Sequence, residues 1–154
     1  MTPFLLQAHH LGMGGRIASW LQRAIPVARL GSIGEARAVW YLRLRGYRIL
    51  ERNVRSAEGE IDVVVRRGSR VAFVEVKTRQ QEARGRGVDA VDRRKQVRIG
   101  RLANRHLRSM RLSPRDHIHF DVVSVFWTGW WFRIEHLRDA FVLEGEPGRP
   151  WWTR

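Results

Sequence analysis

The chain has 154 residues, enough for one domain with a real hydrophobic core and too few for two ordinary domains. Its 29 Lys and Arg against 15 Asp and Glu give a formal charge of +14, which favours a polyanionic partner, above all nucleic acid. The sequence contains no cysteine, which excludes disulfides, thiolate metal sites and a cysteine nucleophile.

The two ends of the chain carry no visible chemistry. Residues 1–30 mix apolar residues with glycines and Pro26, and residues 144–154 are rich in glycine, proline and tryptophan. We therefore predict an N-terminal extension, one domain over residues 31–143 and a C-terminal tail. The start lacks the basic region and cleavage site of a signal peptide, and no run of 18 apolar residues exists, so we expect a cytoplasmic protein with no membrane partner.

The domain is predicted to begin with a helix over Ile33–Arg45. Ser32 is followed at the third position by Glu35, which is a capping-box pattern, and apolar residues then recur at helical spacing until Gly46. In this interpretation Glu35 has a structural role at the start of the helix, whether or not it also takes part in chemistry.

Three strands are predicted to follow the helix, over Tyr47–Asn53, Glu60–Arg66 and Val71–Lys77. The second strand is mostly apolar, and the third is rich in β-branched and aromatic residues. Arg67-Gly68-Ser69 between them is a turn sequence, so the second and third strands should form a hairpin.

A basic helix and two more strands are predicted in the second half. After a loop rich in glycine and arginine, Arg79–Gly87, a helix over Asp89–Met110 carries an apolar stripe beneath a basic face. Strands are predicted over Ile118–Phe126 and Trp130–Ile134. The order of elements indicates an α/β (α+β) sandwich around a central mixed sheet.

Candidate chemistry is concentrated in the hairpin. The strand period of two places Glu75 and Lys77 on one face, and a hairpin of this length can bring Asp62 alongside Glu75. Carboxylates among apolar strands are costly unless they are paired or bind metal. Asp62, Glu75 and the carbonyl of Val76 are candidate ligands for Mg²⁺, with Mn²⁺ as the substitute, and Lys77 is a candidate for orienting the attacking water. A cross-strand salt bridge without catalysis is the alternative.

Only two of the 29 basic residues are lysines, Lys77 and Lys95. An ammonium is a compact point charge that can approach a water or a scissile phosphate, which a planar guanidinium does less well. Lys95 and Gln96 open the basic helix, where they either reach a phosphate or an attacking water or belong to a solvated face. The residues expected to hold a nucleic-acid backbone are Arg79, Arg84, Arg86, Arg93, Arg94, Lys95 and Gln96.

A wider set of landmarks resembles the pattern of the YraN family of predicted endonucleases, in order and spacing, over roughly residues 31–143. They are Gly34-Glu35, Gly46-Tyr47, Asn53, Gly59-Glu60-Ile61-Asp62, Phe73 to Arg79, Ala90-Val91-Asp92, Lys95-Gln96, Phe120 to Val123 and Ala140-Phe141. The resemblance implies a restriction-endonuclease-like αβββαβ fold, similar to archaeal Holliday-junction resolvases. It also implies that Asp62, Glu75 and Lys77 occupy the PD-(D/E)XK positions and that Glu35 is the helix-borne acid. Ile61 replaces the motif's proline, and His119 stands where the family usually has arginine.

Three functions are compatible with this pattern. The first is a metal-dependent endonuclease that hydrolyses phosphodiester bonds in DNA, with branched and single-stranded DNA as candidate substrates. A resolvase-like enzyme of this kind would work as a homodimer. The second is an accessory module of the same fold that binds nucleic acid without cutting it. The third is a structural protein whose basic face docks an acidic partner, and a compositional bias of the genome is a further explanation of the charge itself.

The remaining polar and aromatic residues are expected to have structural roles. Asp121 should pair with an arginine of the basic helix, with a catalytic role as the alternative. Glu60 should lie at an exposed strand end, with a supporting role beside Asp62 as the alternative. His117 and His119 share a strand face but lack a third metal ligand, so packing or phosphate contacts are expected. The residues expected to pack in the core or at the sheet edge, with base stacking as the alternative, are Trp127, Trp130 and Trp131.

Overall fold

The computed structural model describes residues 27–57, 59–80, 92–128 and 131–143. This part of the chain contains a helix, three strands, a second helix and two strands, in the order predicted from the sequence. The elements are α1 (Val27–Leu44), β1 (Arg48–Ser56), β2 (Gly59–Arg67), β3 (Arg70–Gln80), α2 (Arg93–Leu107), β4 (His117–Trp127) and β5 (Phe132–Leu137).

The five strands form one mixed sheet in the order β1-β2-β3-β4-β5. Neighbouring strands are antiparallel except for β3 and β4, which run parallel and are connected through α2. A parallel pair needs such a crossover, because its two strands start at the same edge of the sheet. The predicted fold class, a restriction-endonuclease-like α/β sandwich around a mixed sheet, is confirmed.

The two helices cover opposite faces of the sheet. The buried residues Ala38, Val39 and Leu42 of α1 pack with the alternate β2 residues Val63 and Val65. The buried residues of α2 pack on the other face, in a second cluster with Val64, Val71 and Phe73. Strands buried on both faces need apolar residues at successive positions, which explains why β2 and β3 are so rich in valine.

Helix α1 begins at Val27 rather than at the predicted Ile33, so the capping-box prediction was wrong. Ser32 lies inside the helix, where its hydroxyl donates a hydrogen bond to the carbonyl of Arg29 at 2.9 Å. Leu30, one turn upstream of the predicted start, is buried. Its tertiary burial offsets the local preference of serine for a helix terminus. Glu35 therefore has no capping position.

The other boundaries differ from the predictions by a few residues. Helix α2 has Asp92 as its N-cap, whose carboxylate accepts a hydrogen bond from the Arg94 amide at 3.3 Å. Residues 89–91 of the predicted helix lie outside the described residues. Strand β5 starts at Phe132, because its register is set by the pairing of Trp127 with Phe132. Neither described helix has the length and apolar character needed to cross a lipid bilayer.

Candidate active site

The candidate site lies where β2 and β3 separate. Their ladder runs from the turn as far as the pair Val63 and Val74. The next residue along each strand, Asp62 and Glu75, lies beyond the last paired position. Here the backbone N–H of Val76 donates a hydrogen bond to Oδ2 of Asp62 at 2.6 Å. A side-chain carboxylate thus serves as the acceptor for this β3 amide and is fixed beside β3.

A cleft of about 240 Å³ opens at this point between the strand ends and α2. Asp62 and Glu75 both line it, so the structure brings together the two carboxylates that the sequence singled out. The full lining is Gly59, Glu60, Asp62, Glu75, Lys95, Arg98, Ile99 and Leu102. The cleft therefore combines acidic and basic side chains over an apolar base supplied by α2.

The carboxyl of Asp62 is electrostatically perturbed. Its pKa is raised from the usual 3.8 to about 6, chiefly by burial and also by the nearby negative charges of Glu75 and Glu35. The Val76 amide and the charge of Lys95 act in the opposite direction but do not cancel the increase in pKa. A carboxyl whose pKa is raised by burial and by neighbouring acids is a feature of sites that bind cations or move protons.

Lys95 forms an ion pair with Oε1 of Glu75. The Glu75 side chain is only 12% exposed and that of Lys95 is 35% exposed, so this contact is more protected than an ordinary surface pair. The sequence placed Lys95 on the outer basic face of the helix or on a phosphate, and its contact with Glu75 was not foreseen. A signal existed, because Lys95 precedes the cleft-lining Ile99 and Leu102 by four and seven positions, which places it on their side of the helix.

Lys77 lies two residues after Glu75 on β3, is half-buried and is in register with Ser124 of β4. The strand period places its side chain on the same face as Glu75. Among the described residues, the lysine that lines the cleft is Lys95. The sequence therefore predicted the strand and the face of Lys77, but it did not predict that Lys95 also lies at Glu75.

Glu35 approaches the site from the other face of β3. It lines a separate cleft of about 220 Å³ together with Leu30, Gly31, Val76 and Thr78. Gly34 makes this approach possible, since a Cβ at that position would lie 1.9 Å from Oγ1 of Thr78. Glu35 thus acts on Asp62 through its charge, across the strand, and does not line the cleft that contains Asp62 and Glu75.

Comparison with known proteins identifies the family. The model of the uncharacterised protein family UPF0102 matches residues 34–125, which include Glu35, Asp62, Glu75, Lys77 and Lys95. The chain belongs to this family. The resemblance to the YraN family, which is the same family, is thereby confirmed, together with its restriction-endonuclease-like fold.

Individual UPF0102 proteins match along nearly their whole length. The chain is 40% identical to one from Alkaliphilus oremlandii over 114 residues, which are 73% of this chain and 97% of that protein. It is 44% identical to one from Moorella thermoacetica over 117 residues, 76% of this chain and 93% of that protein. For one from Parafrankia sp., 114 residues are 46% identical, covering 73% of this chain and 96% of that protein.

The basic residues expected to contact nucleic acid are only partly gathered around the site of this UPF0102 chain. Arg93 and Arg94 are exposed at the start of α2, whereas Gln96 and Arg79 are half-buried. Arg84 and Arg86 lie outside the described residues. Arg98, which was not among the predicted contacts, lines the cleft and packs against Gly59.

The predicted partner of Asp121 was wrong. Asp121 is fully buried, and it accepts hydrogen bonds from Arg70 of β3 at 2.7 Å and from the Asp139 amide at 2.9 Å. Nε2 of His136 in β5 lies 3.1 Å from its other oxygen. Burial alone would raise the pKa of Asp121, but the hydrogen bonds from His136 and Asp139 and the charge of Arg70 hold that pKa below its usual value. The basic helix does not supply the partner because α2 covers the opposite face of the sheet.

The other expectations had mixed outcomes. Trp127 packs against Phe132 with ring centroids 4.6 Å apart, as expected for a core or edge residue. Trp131 is 66% exposed, so the packing prediction was wrong for this residue, and Trp130 lies outside the described residues. His119 contacts Asp139 at 2.6 Å, and the exposed Glu60 pairs with Arg55 at 3.1 Å.

The donor set of the cleft suits a hard divalent cation. In the described part of the chain no group of three or more His, Cys, Asp or Glu side chains is arranged around a common point. Mg²⁺ sites in enzymes that act on phosphates often use only one or two carboxylates and leave the other positions to water and substrate. The two carboxylates of the cleft fit this requirement, and the ammonium of Lys95 already occupies a cation position at Glu75.

Proposed function

We propose that this chain is a divalent-metal-dependent endonuclease that hydrolyses phosphodiester bonds in DNA. The observation that carries the proposal is the placement of Asp62 and Glu75 in one cleft, at the point where β2 leaves β3. Apolar residues would stabilise a strand end better than a pair of carboxylates of which one has a raised pKa. The pair is explained if it serves a ligand.

Asp62, Glu75 and the carbonyl of Val76 would hold the metal, Mg²⁺ or Mn²⁺. The N–H and C=O of one residue in a strand point to the same side, and the Val76 N–H points to Asp62. Its carbonyl therefore faces the side on which the β2 ladder has ended. The chemistry supplied at such a site is a ligated water of lowered pKa and partial neutralisation of the phosphate charge.

The remaining residues of the site have roles that follow from charge and position. The ammonium of Lys77 orients the attacking water and stabilises the negative charge that develops on the phosphate. Arg98 in the cleft and Arg93 and Arg94 at the start of α2 hold the phosphate backbone. Glu35 adds negative charge from the far side of β3, which favours a cation at Asp62.

Cleavage of labelled single-stranded, duplex and four-way-junction DNA tests the proposal, with Mg²⁺, Mn²⁺ or EDTA present. Glu75→Gln and Lys77→Met should each lower the rate at least about 100-fold, because each removes a group needed at the reacting phosphate. Glu51→Gln is the matched control, since Glu51 is an exposed acid on β1 that pairs with His106 at 3.1 Å. The proposed site would be refuted if wild type still cleaved DNA in EDTA, or if Glu75→Gln cleaved DNA as fast as wild type.

One observation favours a second function, a module that binds nucleic acid without cutting it. The ion pair between Lys95 and Glu75 neutralises one of the two carboxylates. If this pair is permanent, DNA should bind equally well with and without EDTA, and no substrate should be cut. The endonuclease proposal includes two further points. An enzyme that cuts a DNA junction needs two active sites, so we propose that two chains pair, and we propose that the protein works in the cytoplasm.

A further inference from the structure

Both lysines of the chain lie next to Glu75, although the other 27 of its 29 basic residues are arginines. Lys77 follows Glu75 by two positions on β3, and Lys95 reaches the same carboxylate from α2. Elsewhere in the sequence a guanidinium serves wherever a cation is needed. Lys95 contacts the Glu75 carboxylate, and Lys77 lies on the same face of β3 as Glu75, so both ammonium groups of the chain belong to the surroundings of this acid. This concentration indicates a site that requires this kind of cation.

An ammonium differs from a guanidinium in how readily it gives up a carboxylate. Arginine binds a carboxylate through two parallel hydrogen bonds from a planar fork, whereas lysine makes a point contact and is strongly hydrated. A lysine on one carboxylate oxygen can therefore exchange with a hydrated metal ion more easily than an arginine can. Lys95 contacts one oxygen of Glu75, as an exchangeable partner would.

The fold fixes Lys95 at this place. Ile99 and Leu102, on the same side of α2, are buried against the sheet and anchor the first turns of the helix. The Lys95 charge also lowers the pKa of Asp62, so the ammonium acts on both carboxylates of the cleft. Without Lys95, Arg98 would be the remaining basic side chain in the described lining of the cleft that contains the two acids.

We propose that Lys95 is the built-in counter-ion of the metal-free site: it holds Glu75 until a divalent cation displaces it, and it then binds the phosphate of the substrate. This inference rests on the proposed metal-dependent function. Because metal and Lys95 compete for one carboxylate, metal should bind weakly to the free protein. By linkage, a phosphate that draws Lys95 away should strengthen metal binding, and metal should strengthen phosphate binding equally.

Calorimetric titration of the full chain with Mn²⁺ alone, without DNA, tests the inference. Lys95→Met keeps the length of the side chain but removes its charge, and it should bind Mn²⁺ about tenfold more tightly than wild type. Arg101→Met is the matched control, because it removes one positive charge from an exposed position of the same helix. Its affinity should change less than about twofold, since exposed charges are well screened. Glu75→Gln should abolish Mn²⁺ binding both in the wild-type protein and in Lys95→Met.

Thermal unfolding provides a second readout that does not depend on cleavage. Removal of the Lys95 charge leaves Glu75 without its partner, so Lys95→Met should melt at a lower temperature than wild type. Mn²⁺ should raise the melting temperature of Lys95→Met more than that of wild type, since metal replaces the missing cation. Lys95→Gln provides the same comparison if the methionine variant does not fold.

The outcomes separate the two proposals. Equal or weaker Mn²⁺ binding by Lys95→Met and Lys95→Gln, with clear binding by wild type, would overturn the counter-ion role alone. If Lys95→Met binds Mn²⁺ more tightly than wild type but wild type cleaves no DNA, the counter-ion role is supported and the endonuclease proposal is overturned. An absence of Mn²⁺ binding in every variant would overturn both.

Discussion

Two aspartates on this sheet, the fully buried Asp121 and the half-buried Asp62, have opposite surroundings. Asp121 is enclosed by Arg70, His136 and a backbone amide, and its pKa is lowered. Asp62 has one backbone amide, and its pKa is raised to about 6 by burial and by the charges of Glu75 in the same cleft and of Glu35 across the strand. A carboxylate whose charge is fully matched stabilises the fold, whereas one whose charge exceeds its partners stores free energy for a ligand.

Asp121→Asn should have the largest effect on stability. The substitution leaves Arg70 and His136 without their buried anion, and breaking such a pair costs about 3 kcal/mol. We expect the free energy of unfolding, measured by urea denaturation at pH 7, to fall by about that amount. Asp139→Asn is the matched control, since Asp139 contacts the same arginine but is 52% exposed. If the two variants lose equal stability, the contrast between the aspartates is wrong.

Asp62→Asn should stabilise the protein at pH 7. A carboxyl whose pKa rises from 3.8 to about 6 on folding opposes folding by up to about 3 kcal/mol at neutral pH. The amide retains an oxygen that can accept the Val76 hydrogen bond, so we expect a gain of about 2 kcal/mol in urea denaturation. The same variant should lose DNA cleavage. Glu60→Gln in the same cleft should change stability little, and a destabilised Asp62→Asn would mean that Asp62 is a structural acid like Asp121.

The pH dependence of these two effects sharpens the contrast. Between about pH 3.8 and 6 the folded protein holds a proton on Asp62 that the unfolded chain has released, so stability falls as pH rises through this window. The advantage of Asp62→Asn should therefore be complete above pH 6 and vanish below 3.8. Asp121 has the opposite sign: its contribution is present above the usual aspartate pKa and is lost as pH falls through its lowered value. Urea denaturation of wild type and both variants from about pH 2 to 7.5 measures both windows.

The smallest expected effect concerns the approach of α1 to the site. Gly34→Ala places a methyl group 1.9 Å from Oγ1 of Thr78, and the displacement should cost about 1 kcal/mol net of the better helix propensity of alanine. Gly31→Ala lies in the same helix and meets nothing within 4 Å, so it should instead stabilise by about 0.5 kcal/mol. Thermal unfolding compares them, and equal shifts would show that contact with Thr78 does not fix α1.

Much of the candidate site was predictable because it depends on local rules. The alternation of β3 placed Glu75 and Lys77 on one face, and the short turn before it brought Asp62 close to Glu75. The start of α1 was not predictable in this way, since Ser32 and Glu35 match a capping box while the burial of Leu30 extends the helix beyond it.

The sequence by itself determined the order of the elements, the hairpin and the two carboxylates, because these follow from hydrophobic period and turn chemistry over short distances. Only the tertiary structure decided which cation meets which acid. The crossover from β3 through α2 to β4 places the helix on one face, where Lys95 reaches Glu75, and leaves Asp121 on the other face with Arg70. Such pairings join residues 20 and 51 positions apart. Helical spacing gives the side of α2 on which Lys95 lies, but it does not give the acid that Lys95 meets.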